Sequence, residues 1–241
     1  MGIILKKFYA EVKELKFYIL AGTIILIISY ALPVITNGKS NLEDGLIEYL
    51  TSFGLLTISI LFLILFFRTR HFLNILFFLV FLFGFGEEIS WGQRLLEFNT
   101  PDLIEKDNAQ GEFNFHNLRL FNAVDESGHP TRGLNINMLF ALFCLSYGVL
   151  LPGLVLIFEN LERITNFIGL YIPPISLGLL FIVKSAASKL IFSNLAYKDL
   201  RIGESSEFIS VSILFLISLS FLKRTYHKKY QKLTFESNGQ S

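Results

Sequence analysis

One cysteine, Cys144, stands in the whole chain, and it lies inside an apolar run. No internal disulfide and no thiolate metal cluster is available, and the residue reads as a small apolar packing group. Charge is scarce as well. Asp, Glu, Lys and Arg make up 17% of the residues against 52% hydrophobic ones, and mean hydropathy is +0.54. That balance argues against an ordinary soluble domain and suits a polytopic membrane protein. There are four histidines, and HExxH, CxxC, GxGxxG and GxSxG are all missing. The usual marks of zincins, thiol redox proteins, dinucleotide-binding folds and serine hydrolases are therefore absent.

What the chain has is long apolar runs, with Phe alone contributing 26 residues. They predict an all-α bundle of about six transmembrane spans in a single integral membrane domain, 1–241. The spans run over about Phe17 to Thr36, Leu46 to Phe67, Phe72 to Trp91, Leu134 to Phe158, Phe167 to Ile191 and Glu204 to Leu222. The stretch Met1 to Lys16 reads as an amphipathic lead-in at a membrane surface. The first run lacks a small-x-small cleavage site and is expected to be a retained span. A polar segment, 92–133, separates spans three and four. ENLERITN reads as a short link, Pro173-Pro174 as a break within span five, and 223–241 as a basic, frayed tail.

Charge bias orients the bundle. With the N-terminus in the cytoplasm, the inner segments hold 12 basic and five acidic residues, and the outer segments hold nine and 15. The positive-inside rule favours that arrangement, with both termini cytoplasmic. The expected location is the cell membrane, the inner membrane in a bacterium. The partner is the lipid bilayer, and no nucleic-acid partner is implied.

The stretch GFGEEISWGQR, Gly84 to Arg94, anchors the functional reading. A helix entering at Phe72 rises only about 21 Å over its first 14 residues, less than the ~30 Å hydrocarbon core. Glu87 and Glu88 therefore lie within or at the edge of that core, where ionisable groups are costly. Span six is short in the same way, which brings Glu204 and Glu207 to a similar depth. Glu48, in the first turn of span two, joins them. GLIEYLTS and ESSEFISV share a Glu-aromatic-aliphatic-hydroxyl order, read as one device used twice. Lys184 and Arg94 are the nearest candidate counter-charges, and Glu87, Ser90 and Arg94 are expected on one helix face.

NAQGEFNFHN, Asn108 to Asn117, supplies the one histidine suited to this depth, His116. A helical turn would project Glu112 and His116 the same way. His71 and His227 fall in inner segments, and His129 sits in a turn-like stretch. Two explanations compete for the acids. Pairing with Lys184, Arg94 and backbone donors would simply hold helices together. Alternatively, carboxylates crowded at one depth share protons, bind a cation or face water. Glu87, Glu88, His116, Glu207, Glu48 and Glu204 are the candidate ligands for a divalent metal (Zn, Mn, Fe or Mg). Ser90 has no base placed in sequence to activate it.

At these residues the chain resembles a group of uncharacterised bacterial multi-pass membrane proteins. The likeness is carried by EDGLIE (Glu43 to Glu48), GEEISWGQR (Gly86 to Arg94) and NAQGEFNFHN, and it covers most of the chain. It brings no established activity. A looser similarity is to CAAX-type intramembrane proteases, which pair two glutamates with a following Arg and use two histidine motifs to activate water. Glu87, Glu88 and Arg94 look like the first motif, with five residues between Glu88 and Arg94 where that family has three. His116 stands for one histidine, and no second intramembrane histidine exists.

The leading expectation is a metal-dependent hydrolase at the outer leaflet, acting on lipid or membrane-embedded peptide. In it, Glu87 and Glu88 are metal ligand and general base, His116 and Glu207 are further ligands, and Lys184 or Arg94 steadies negative charge. The second is a proton- or cation-coupled transporter using Glu48, Glu87, Glu88 and Glu207, with the paired prolines as hinge. The third is a non-catalytic membrane assembly protein.

Overall fold

A computed structural model describes residues 2–41, 45–124, 130–192, 200 and 202–238. The long helices are α1 (Gly2–Ile35), α2 (Leu46–Thr69), α3 (Phe72–Glu88), α4 (Ile136–Ile157), α5 (Glu159–Ile168), α6 (Ile175–Phe192) and α7 (Ile202–Asn238). Short turns of helix fill the polar segment, and Ala123–Val124 pairs antiparallel with Pro130–Asn135. Apart from that pairing, the regular structure of the described residues is helical.

Among the described residues four helices, in α1, α2, α4 and α7, are long and apolar enough to cross a membrane. Their outward residues are apolar too. Leu20, Ile24, Ile27 and Ile28 on α1, and Leu76, Leu79 and Val80 on α3, are all exposed. So continuous an apolar surface is stable against lipid and not against water, which marks a membrane protein.

Three polar punctuations fall differently from the sequence reading. The lead-in before Lys16 is no separate surface helix, because α1 continues unbroken from Gly2 to Ile35. ENLERITN forms α5, which is strongly amphipathic and exposes Ile164, Phe167 and Ile168. Pro173-Pro174 does fall at a break in the expected span five, in the non-helical stretch 169–174 between α5 and α6. The carbonyl of Pro174 accepts from the amides of Leu177 and Gly178, so the prolines stand ahead of α6, where a missing N–H costs nothing. The tail is helical as far as Asn238, not frayed from Lys223.

The core forms around α7, which packs on α1, α2 and α6. Ile209, Ile213 and Phe221 of α7 meet Ile58, Phe62 and Leu65 of α2 and Phe181 of α6, all at 2% exposure or less. Phe62 stacks on Phe77 and Phe81 of α3 at centroid distances of 4.8 and 5.7 Å. Buried serines on α7 return their hydroxyls to their own helix, as Ser218 does to the Leu214 carbonyl at 2.8 Å, so they add no unsatisfied donors. Small residues also allow α4 and α6 to touch. α4 widens into a π-helical turn at Ser146–Leu150, and there Gly148 meets Gly178.

A Cβ on Gly178 would lie 1.7 Å from the Gly148 carbonyl oxygen, a backbone atom with no rotamer to give. Gly178→Ala is therefore expected to destabilise the bundle by about 1–3 kcal/mol through overpacking. Thermal unfolding in detergent micelles measures this. Gly203→Ala, where an added Cβ meets nothing within 4 Å, should leave the midpoint nearly unchanged by comparison.

Candidate functional site: a carboxylate cavity beneath a docked loop

The helix α3 ends at Glu88, three residues before Trp91. Ser90, Trp91 and Gly92 follow with φ of 47°, 52° and 79°, three consecutive left-handed residues. Each such non-glycine residue costs about 1–2 kcal/mol, so the turn must be held from outside. It also separates Glu87, Ser90 and Arg94, which do not share one helix face. Arg94 sits in the short helix Gln93–Leu96, and its side chain lies outside the described residues.

The polar segment holds the turn. Glu87 is 5% exposed, and its carboxylate accepts from the Trp91 indole Nε1 at 2.6 Å and from the backbone amides of Phe115 and His116 at 2.7 and 2.8 Å. His116 Nδ1 lies 3.5 Å from the same Oε2. Ser90 donates to Glu112 Oε2 at 2.7 Å, and Asn114 Nδ2 donates to both of them, at 3.0 Å to Ser90 and 2.8 Å to Glu112. Gln93 accepts from the Phe113 amide at 2.7 Å and donates to Thr100 at 2.8 Å. Asn108 ties the segment to itself, donating to Asn114 and accepting from the amides of Gln110 and Glu112. The Trp91 ring lies against Gly86, where a Cβ would sit 2.8 Å from it.

The segment is not helical between Asn108 and Asn117. Glu112 and His116 consequently project to different partners, Ser90 and Glu87, although both line the same space. Ser90 is buried and engaged with Glu112, so it is a brace of the turn and not a bare nucleophile.

That space is a cavity of about 700 Å³. Glu48 from the start of α2, Glu87 and Glu88 from the end of α3, Glu204 and Glu207 from the start of α7, and His116 all line it. Helix ends of alternating direction bring them there. The Glu88 and Glu207 carboxyl groups neighbour each other there, and two carboxylates so placed repel unless they share a proton. Lys184 does not line the cavity. It is buried behind it on α6, within electrostatic range of Glu207 and Cys144, and its carbonyl accepts from Tyr30. His71 lies at the opposite end of the bundle against Gly169, while Glu43, Asp44 and His129, like the His227 side chain, are outside the described residues.

The donor set does not form a metal centre among the described residues, where no three His, Cys, Asp or Glu side chains converge closely enough to hold an ion. Both Glu87 oxygens already accept N–H donors, and Glu88 and Glu207 neighbour each other. The sequence also left several parts unmarked. Asn108, Asn114, Gln93 and Thr100 brace the loop, and Phe83, Phe115, Phe140 and Phe143 wall the cavity or its mouth. Their one sequence signal was the density of amides between Asn108 and Asn117.

The fold and site define a helical membrane protein with a carboxylate-lined cavity near the helix ends. Comparison with protein-family models, with curated proteins and with solved structures returns no match.

Glu87→Gln replaces two acceptor oxygens with one and turns an amide NH₂ towards N–H donors. Charge-assisted bonds of this type contribute about 1.5–3 kcal/mol each. Hydrogen exchange of the purified protein is expected to show protection of the Phe115 and His116 amides falling by about 10- to 100-fold. Amides in the middle of α7 should keep theirs.

Proposed function

We propose that this is an integral membrane hydrolase acting on a bilayer-embedded substrate, in a six-span bundle with both termini cytoplasmic. The observation that carries the reading is the gathering in one cavity of His116, beside the buried Glu87 carboxylate, with the carboxyl groups of Glu88 and Glu207. His116 is held at Glu87 by its backbone amide, and its Nδ1 lies 3.5 Å from the same carboxylate without a hydrogen bond, so a small ring rotation would let Glu87 orient the imidazole and leave the other ring nitrogen to take a proton from water. The water oxygen attacks the acyl carbon, and the bond from that carbon to the leaving oxygen or nitrogen breaks. The Glu88–Glu207 pair supplies a proton to the leaving atom, and the proton on His116 returns to the pair. These residues act by proton transfer alone in this scheme, and among the described residues no three His, Cys, Asp or Glu side chains assemble as ligands for a metal. The looser similarity to CAAX-type proteases fits a water-activating role for His116, and the site's place near the helix ends fits an interfacial substrate.

Protein reconstituted in vesicles, followed by mass spectrometry of lipids and of added membrane peptides, tests the reading. Glu88→Gln, Glu207→Gln and His116→Ala are each expected to lower turnover by about 10²-fold or more, the usual effect of losing a general acid or base. Turnover should survive dialysis against a chelator. Undiminished turnover in all three variants would remove the assignment.

A proton-coupled carrier is the second reading, favoured by a second cavity of about 910 Å³ at the other end, lined by Lys7, Glu11, Glu14, His71 and Arg224 among others. Proton-coupled flux without hydrolysis in the same vesicles would select it. The six-span arrangement has its own test. Reporter fusions at Arg70 and at the C-terminus should read cytoplasm, and one near Asp107 should read outside. An outside signal at the C-terminus contradicts it.

A further inference from the structure

The cavity is also a slot between α3 and α4, and its shape bears on what enters. α3 packs on α2, and the first part of α4 packs on α6 and α7, so the two helices face each other across the space. Past its last lining residues on one side, Val80 and Phe143, Phe77 of α3 closes on Tyr147 of α4, with ring centroids 5.4 Å apart, and Tyr147 stacks on Phe143 at 5.7 Å. At the other end stand Glu88, Glu207 and His116. Between them the walls are Val80, Phe83, Phe140 and Phe143.

The slot opens sideways. Val80 and Phe83 line it and are still 51% and 48% exposed. The surfaces flanking the mouth are apolar, with Leu79 on α3 and Met138, Leu139 and Leu142 on α4 all exposed. Its length is set by α3. From Val80 to Glu88 the helix rises about 12 Å, within the depth of one leaflet of the ~30 Å hydrocarbon core.

We infer that the slot between α3 and α4 takes one hydrocarbon chain of a lipid, sideways from the bilayer, and sets the bond next to its head against Glu88, Glu207 and His116. This rests on the hydrolase reading and narrows its substrate to an acyl lipid. A polypeptide helix about 10 Å across with its side chains would need roughly 900 Å³ over that length, more than the cavity of about 700 Å³ holds, whereas a single alkyl chain fits within it. The blind end at Phe77 and Tyr147 fits a chain terminus and does not fit a peptide that must continue.

The test uses a monoalkyl glycerol ether carrying a diazirine in its chain, in vesicles with the full-length protein. The ether is not a hydrolase substrate, so labelling reads binding alone. Photolabelling is expected on Phe83, Phe140 and Phe143. Val80→Trp, which fills the slot from its exposed wall, should cut that labelling by about tenfold, while Leu79→Trp on the neighbouring lipid face should not. Phe140→Ala, which enlarges the slot, should retain label on Phe83 and Phe143 and guards against misreading a folding defect. Label confined to the outer faces of α3 and α4, or unchanged by Val80→Trp, overturns the inference. So does labelling of the slot by a diazirine-bearing transmembrane peptide in preference to the ether. Slot labelling in a protein that hydrolyses no acyl lipid would keep the lipid site and remove the hydrolase.

Discussion

One buried carboxylate organises this end of the molecule. Glu87 collects an indole N–H and two consecutive backbone amides, and through them it joins the end of α3 to a segment more than 25 residues further on. A carboxylate out of reach of water is stable only where donors replace its hydration. Here the donors come from the loop that roofs the cavity, so the charge and the roof stabilise each other. His116 takes its position from the same contact.

The strain in the turn follows from that union. Three left-handed residues reverse the chain directly after Glu88, and two of them carry side chains. Ser90 is fixed by Glu112 and Asn114, and Trp91 by Glu87 and the bare surface of Gly86. Trp91 further meets Phe83 edge to face, and Phe83 stacks on Phe115, so the apolar face of the loop is packed as firmly as its polar face is bonded. The site is thus built on the rigid end of a helix, with the loop supplying the complementary donors.

The rest of the bundle serves that placement. α7 is buried on nearly every side, and it brings Glu207 beside Glu88 because Ile209, Ile213 and Phe221 fix its register against α2 and α6. Glu48 and Glu207 open the two neighbouring helices α2 and α7 at the same end. In both, the hydroxyl three residues on bonds back to its own helix, Thr51 to Ile47 and Ser210 to Ser206. The likeness of GLIEYLTS and ESSEFISV thus corresponds to a shared position at the cavity and a shared local bond.

By itself the sequence determined the environment of the site and the grouping of its acids. Apolar runs of helical length can satisfy their backbone only as helices in lipid, and the shortness of two runs led to the expectation that Glu87, Glu88, Glu204 and Glu207 stand together, as they do in lining one cavity. That inference needed only a rise per residue and a membrane thickness. It could not tell which acids meet. Neighbours four apart on a helix were legible, yet the helix stops at Glu88, and Glu112 and His116 stand on no helix at all. Tertiary structure alone decided that Glu87 clamps a loop while Glu88 meets Glu207, and that Lys184 stays behind the cavity. Those outcomes depend on contacts between segments far apart in the chain, where the choice of partner for each donor and acceptor is made by packing and not by spacing.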